Sequence, residues 1–261
     1  MRSAWGKRKL RVVFPAYIPA KWKEQSIYDL MAKSDKFDPV VALTSMDNMY
    51  ALTLEERRKL LAETEAWFTA KGVKCVYAYD CETGAYRPFS DFGADIVWYT
   101  QQWFIDELQM PSEVSKYALT CYTPYFVPNY GGLDMDCDMH FHRTLWRYFT
   151  LSEDWAKLYA AHQGWRRAGE SVGLGHPMLD EYYLTRDEQP PRHFVIYAPH
   201  HSCNCHEHFS TFLQNGARML ALAKAHPEID WVFKPHPSLK NALKEYNGWT
   251  TERIEAYYRE W

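Results

Sequence analysis

The run Trp231-Val232-Phe233-Lys234-Pro235-His236-Pro237-Ser238 joins an apolar burst to a lysine, a histidine and two prolines. It reads as a buried strand whose carboxyl end delivers an ammonium and an imidazole to a loop. In open α/β sheets, ligands bind just outside the carboxyl ends of the strands. A point charge and a hydrogen-bond donor held together there suit a phosphate or pyrophosphate. The prolines stiffen the loop, so little ordering entropy is left to lose on binding. An earlier stretch repeats the grammar: His193-Phe194-Val195-Ile196-Tyr197-Ala198-Pro199-His200-His201-Ser202. If the two strands are parallel neighbours, His200, His201, Ser202, Lys234 and His236 share one rim. Taken singly, either strand end is as well read as a loop with idle histidines. The pair favours a site.

Working outward, the chain alternates apolar runs with helical stretches. Strands are expected at Arg11–Pro15, Phe37–Leu43, Val73–Tyr77, Phe92–Tyr99 and Tyr117–Tyr122, and a short one at Ser171 before Gly173-Leu174-Gly175-His176-Pro177. Helices are expected over Ser26–Met31 with Ser26 as N-cap, over Leu54–Lys71 closing at Gly72, and over Thr144–Ala161. This alternation indicates βαβ units and a doubly wound parallel sheet. Arg186-Asp187-Glu188-Gln189-Pro190-Pro191-Arg192 is the linker candidate, dividing residues 1–185 from 186–261. Beyond it follow a strand, a helix over Phe209–His226, the strand at Trp231 and a helix over Thr251–Trp261. Two strands are too few for an independent sheet core, so the second region is incomplete or its strands join the first sheet.

Composition bounds the function. Of 261 residues, 47% are hydrophobic and 16% aromatic, which supplies enough apolar surface to exclude disorder. A net charge of -3 gives no reason to expect nucleic-acid binding, so any anion site is local. No window approaches the roughly 20 apolar residues of a membrane span, and the chain reads as cytoplasmic. The basic start with Trp5 offers a peripheral contact to anionic lipid at the inner membrane face; a solvated tail is the preferred reading.

Other constellations are weaker. Cys203, Cys205, His206 and His208 carry metal-ligand chemistry, but crowded into one loop they lack the separated ligand pairs of a structural zinc site. No resident metal or cofactor is called for. Asp134, Asp136 and Asp138 before His140 and His142 read as a solvated loop, without the glycine and twelfth acidic residue of a calcium loop. No Gly-x-Ser-x-Gly or Walker A sequence occurs, which argues against a serine hydrolase or P-loop nucleotidase.

Four blocks together resemble a known family. They are Phe14-Pro15 with Trp22 and Ser26-Ile27-Tyr28, Val172-Gly173-Leu174-Gly175-His176-Pro177-Met178-Leu179-Asp180, Tyr197-Ala198-Pro199-His200-His201, and Phe233-Lys234-Pro235-His236-Pro237. In this order they resemble the CDP-glycerol glycerophosphotransferase family, and more closely its relatives encoded with capsule and surface-polysaccharide genes. The resemblance implies a GT-B-like α/β fold: an N-terminal Rossmann-like, acceptor-side domain and an incomplete C-terminal donor-binding domain. It implies transfer of a polyol phosphate or sugar from a nucleotide-diphosphate donor to a polymer or lipid-linked acceptor such as teichoic acid, capsule or lipopolysaccharide. His236 and Lys234 would contact donor phosphate, with His200, His201 and Ser202 facing it. The family's Trp-His-Gly block has no histidine here, where Cys121-Tyr122-Thr123-Pro124-Tyr125 stands. The family also continues past the position of Trp261 with an Asp-Ser-Ser-like loop.

The mechanism expected from these residues is displacement at phosphorus or an anomeric carbon, with His236, Lys234 and a helix N-terminus stabilising the leaving group. Candidates for the acceptor's base are Asp95, Tyr122, Tyr125 and His176. Tyr17, Trp22 and Tyr125 are candidates for stacking on sugar rings, or equally for packing. The rival readings are a nucleotide-sugar epimerase or hydrolase on the same architecture, and a non-catalytic donor-binding partner.

Overall fold

The computed structural model describes residues 8–45, 52–127, 132–164, 170–188, 194–203 and 209–261. The chain divides into two compact units, Met1–Thr185 and Arg186–Trp261. Strands are β1 (Leu10–Ala16), β2 (Phe37–Leu43), β3 (Cys75–Tyr77), β4 (Tyr79–Asp80), β5 (Ala85–Tyr86), β6 (Ile96–Tyr99), β7 (Leu119–Tyr122), β8 (Arg147–Thr150), β9 (Ser171–Gly173), β10 (Phe194–Tyr197) and β11 (Asp230–Phe233). Helices are α1 (Gln25–Lys33), α2 (Leu54–Ala70), α3 (Pro111–Val114), α4 (Leu133–Cys137), α5 (Glu153–Gln163), α6 (Asp180–Thr185), α7 (Phe212–Ala225), α8 (Leu239–Asn247) and α9 (Thr251–Arg259).

The first unit is built on a seven-stranded parallel sheet in the order β3-β2-β1-β6-β7-β8-β9. The buried stretches of its central strands, Val12–Ala16 in β1 and Val40–Leu43 in β2, are apolar because both faces are covered. Alternate residues serve opposite faces. Val13, Val40, Ala42, Val97, Tyr99, Tyr122 and Tyr148 join one core cluster. Val12, Phe14, Val41, Leu43, Ile96 and Cys121 join the other. β1 and β2 pair along their whole length, Leu10 with Phe37 through Ala16 with Leu43. The order turns between β1 and β6: the chain moves outward from β1 through β2 and β3, then returns to the middle and moves outward the other way.

Several boundaries differ from the expected ones. The stretch read as helical from Thr144 contains β8. Tyr148 and Thr150 are buried while Arg147 and Phe149 alternate with them, a period of two that a helix cannot present. The helix starts only at Glu153, capped by Ser152, whose hydroxyl accepts the Trp155 N–H at 3.4 Å. Ser26 is not a cap: α1 begins one residue earlier, and the Ser26 hydroxyl instead bonds the Asp180 carboxylate. Strand β6 starts at Ile96 because Phe89–Phe92 forms a 3-10 turn closed by Gly93 in the left-handed region (φ 68°). Val73 and Lys74 precede β3, and Tyr117 and Ala118 precede β7; Val73, Tyr117 and Ala118 close turns with backbone bonds, while the Lys74 N–H donates to the Tyr28 hydroxyl. The acidic run is no solvated loop. Asp136 is buried on α4, and His142 Nε2 lies 3.1 Å from Gln102 Oε1.

In the second unit, β10 and β11 pair in parallel, Phe194 with Asp230 through Tyr197 with Phe233. They form a sheet of their own and do not join the first. The helices supply the core that two strands lack. Cys203, Phe212, Leu239, Leu243 and Ile254 are buried together, and Phe233 stacks on Trp261 at 4.9 Å. The opposite face of the sheet, with Phe194, Ile196 and Val232, is exposed. Among the described residues no helix is long and apolar enough to cross a membrane.

Candidate functional site

The parallel ladder of the second unit continues past its strands. Lys234 N donates to Tyr197 O at 2.9 Å, and His236 N donates to Pro199 O at 2.9 Å. This holds the two strand tips side by side and brings three imidazoles together. Ring centroids are 4.3 Å apart for His200 and His201, 5.1 Å for His200 and His236, and 4.2 Å for His201 and His236. His200 is exposed and the other two half-buried, so the cluster opens to solvent.

Two of the rings have their proton position set by the backbone. Ser202 N donates to His200 Nδ1 at 3.2 Å, and Ser238 N donates to His236 Nδ1 at 3.1 Å. A backbone N–H cannot accept, so each neutral ring carries its proton on Nε2 and presents it as a donor. Both arise from the same local pattern, a histidine followed two residues later by serine. Ser202 is fully buried, with its Oγ 2.8 Å from His200 Nδ1. It therefore orients the imidazole and does not itself face a ligand, contrary to expectation. Helix α8 begins directly after Ser238 and adds its positive end to this region. Lys234 is exposed, just beyond β11.

The nitrogens of His200, His201 and His236 lie within 4.8 Å of one another, a spacing that a metal ion tolerates. The tautomers oppose it. Metal binding at Nε2 needs the proton on Nδ1, where a backbone N–H already points at His200 and His236. The cluster suits an anion better than a cation. Of the metal alternative in the neighbouring loop, Cys205, His206 and His208 lie outside the described residues, and Cys203 is buried in the core of the unit.

In the first unit the expected bases fare differently. Asp95 precedes β6, at the amino edge of the sheet, where it pairs with Arg8 and accepts the Arg11 N–H at 2.8 Å. It is on the wrong edge for a ligand site. Tyr122 is fully buried, its hydroxyl donating to Gln102 Oε1 at 2.8 Å, and burial raises it well above the ordinary phenol range. His176 is also buried. Its Nε2 donates to Pro124 O at 2.6 Å while its Nδ1 accepts the Met178 N–H at 3.2 Å. Both nitrogens are committed and burial lowers its basicity, so it ties the loop after β9 to the loop after β7 and has no nitrogen left to act as a base. Tyr17 and Trp22 are buried, Trp22 packing on Phe14, Tyr28 and Phe68, which removes both from sugar stacking. Tyr125 remains at the carboxyl edge, its ring 5.0 Å from Lys21 Nζ.

Sequence reasoning passed over Lys21, Glu24 and Gln101, all in loops leaving carboxyl ends of strands; that position was the only available signal. Glu24 is fully buried, and burial pushes its carboxyl up to about 8. The same edge carries a cavity of about 460 Å³ lined by Trp98, Phe149, Leu174, His176, Asp180 and Tyr183 among others. Two of its lining residues, Trp98 and Phe149, stack with ring centroids 4.7 Å apart and planes nearly parallel.

No protein-family profile matches the chain, including any for the CDP-glycerol glycerophosphotransferases, and no curated protein matches it. Solved structures do. A UDP-GlcNAc 2-epimerase from Neisseria meningitidis, bound to UDP-GlcNAc, superposes with a TM-score of 0.54 at 14% identity over 92% of this chain and 70% of that one. The UDP-GlcNAc 2-epimerase of Methanocaldococcus jannaschii, in complex with UDP-GlcNAc and UDP, gives 0.53 at 13% identity over 95% and 70%. A putative UDP-N-acetylglucosamine 2-epimerase from Listeria monocytogenes gives 0.53 at 11% over 93% and 67%. At such identities the likeness is one of fold: the chain has an α/β, GT-B-like architecture.

Proposed function

We propose that the chain is an enzyme of nucleotide-activated sugars or polyols, gripping the donor's pyrophosphate with His200, His201 and His236, aided by Lys234. One observation carries this reading: the imidazoles converge at adjacent strand tips, and backbone N–H groups leave His200 and His236 with Nε2–H donors. Donors fixed before the ligand arrives stabilise the charge that gathers on a departing diphosphate.

Two chemistries share this first step. Transfer of a sugar or glycerol phosphate to a polymer follows from the family resemblance. Epimerisation or hydrolysis of a nucleotide sugar follows from the named activity of the fold neighbours, and that likeness favours it. Calorimetry with UDP, UDP-GlcNAc, CDP and CDP-glycerol tests the shared step. His236→Ala is expected to weaken binding by about 1.5–3 kcal/mol, the range for a hydrogen bond to a charged group. An unchanged Kd removes His236 from the site. Nucleotide release measured with and without acceptor, together with the configuration of the recovered sugar, separates transfer, hydrolysis and epimerisation.

A further inference from the structure

The turn in strand order between β1 and β6 has a geometric consequence. Loops leaving the carboxyl ends of these two neighbours run to opposite sides and leave a crevice, where open α/β sheets bind ligands. Lys21, in the loop after β1, spans it. Its Nζ donates to Oε1 of Gln101, in the loop after β6, at 2.6 Å. The Gln101 amide is held in turn, its Nε2 donating to Trp103 O at 2.9 Å. Tyr125, beyond the carboxyl end of β7, places its ring 5.0 Å from the same ammonium.

Among the described residues this half-buried ammonium has no carboxylate partner. Glu24, on the same loop, does not serve. Its Oε2 accepts the Lys23 N–H at 2.9 Å, its Oε1 is buried without a partner, and burial keeps its carboxyl neutral at pH 7. The Tyr125 ring and the Tyr17 phenol also stand at the crevice; burial raises Tyr17 beyond its ordinary range, and Asp106 and Tyr86 act on Tyr17 electrostatically, whereas burial is what acts on Lys21. Among the described residues the ammonium meets a neutral amide and the Tyr125 ring, so this desolvated cation is short of counter-charge, and burial lowers Lys21 to about 8. An ammonium has three N–H donors, and Gln101 takes one.

We propose that Lys21, oriented by Gln101 and Tyr125, is an anion-binding site at the β1/β6 crevice of the first unit, taking a phosphate or carboxylate group of a small ligand. The site uses the first unit's own residues and draws on none of the histidines of the second. It stands whether the enzyme transfers or epimerises.

The test reads Lys21 directly. Full-length protein labelled with ¹³C at lysine Cε is titrated by NMR in plain buffer, with millimolar inorganic phosphate, and with acetate. The Lys21 signal is the one absent from both Lys21→Arg and Lys21→Gln proteins. In buffer it is expected to titrate near 8. A bound anion moves that midpoint up by about one pH unit or more, a tenfold preference for the charged form. A His200→Ala/His236→Ala protein is expected to show the same rise. A response to phosphate alone identifies a phosphoryl ligand, and a response to acetate alone identifies a carboxylate. A midpoint unmoved by either anion overturns the proposal. So does a midpoint already at the ordinary lysine value in buffer, or a rise that vanishes in the double histidine variant.

Discussion

Replacing Glu24 with glutamine is expected to stabilise the seven-stranded unit, by an amount that grows with pH. The carboxyl is fully buried, and burial pushes it from 4.5 up to about 8. Below 4.5 folded and unfolded chains both hold the proton, and nothing is lost. Between 4.5 and about 8 the unfolded chain releases it while the fold retains it, so stability falls as pH rises. At about 1.4 kcal/mol per pH unit, the cost is about 3 kcal/mol at pH 7 and levels off near 5 kcal/mol above pH 8. Glutamine is isosteric, never ionises, and keeps an oxygen for the Lys23 N–H now 2.9 Å from Oε2. Urea unfolding of both proteins at pH 5, 7 and 8.5 reads the difference directly. The two curves should nearly coincide at the lowest pH and separate by several kcal/mol at the highest. A variant no more stable than the parent at pH 8.5 would refute the assignment of Glu24 as a buried neutral acid.

His176→Ala should cost about 2–3 kcal/mol in urea unfolding, because it removes a buried imidazole together with its bond to Pro124 O and its bond from the Met178 N–H; a loss under 0.5 kcal/mol would show that the tie is idle. Gly173→Ala is expected to prevent correct packing of β9, since a Cβ there would stand 2.2 Å from the Ser152 carbonyl carbon and 2.1 Å from Glu153 N; wild-type amide-exchange protection in β8 and β9 would contradict it. Tyr28→Phe should cost about 1 kcal/mol by removing the acceptor of the Lys74 N–H at 2.9 Å, with the loss read by thermal unfolding.

Legibility of the sequence was uneven, for identifiable reasons. Phe37–Leu43 could be bounded to the residue because its apolar Val40–Leu43 run, covered on both faces, is followed by the polar Thr44-Ser45 and preceded by the polar Ser34-Asp35-Lys36. β8 was hidden because Trp146-Arg147-Tyr148-Phe149-Thr150 is aromatic at every other position or more, and so fits a helical face as readily as a strand. Asp95 looked available as a base because its Arg8 partner lies 87 positions away. His176, Tyr122 and Trp22 looked like site residues for the same reason: the groups that occupy or bury them come from other strands and loops.

What the chain's own order of residues determined was the alternation of strands and helices, the repeated proline-histidine ending of two strands, and the histidine-to-serine spacing that local backbone geometry turns into a fixed tautomer. These are short-range properties, set by neighbours one to four positions away. Tertiary structure alone decided which strands are adjacent, that three imidazoles meet within ring contact, and where the strand order turns to leave Lys21 facing Gln101 across 80 positions of sequence. Burial, counter-charge and ligand access belong to that second class, because each depends on atoms that only the folded sheet brings together.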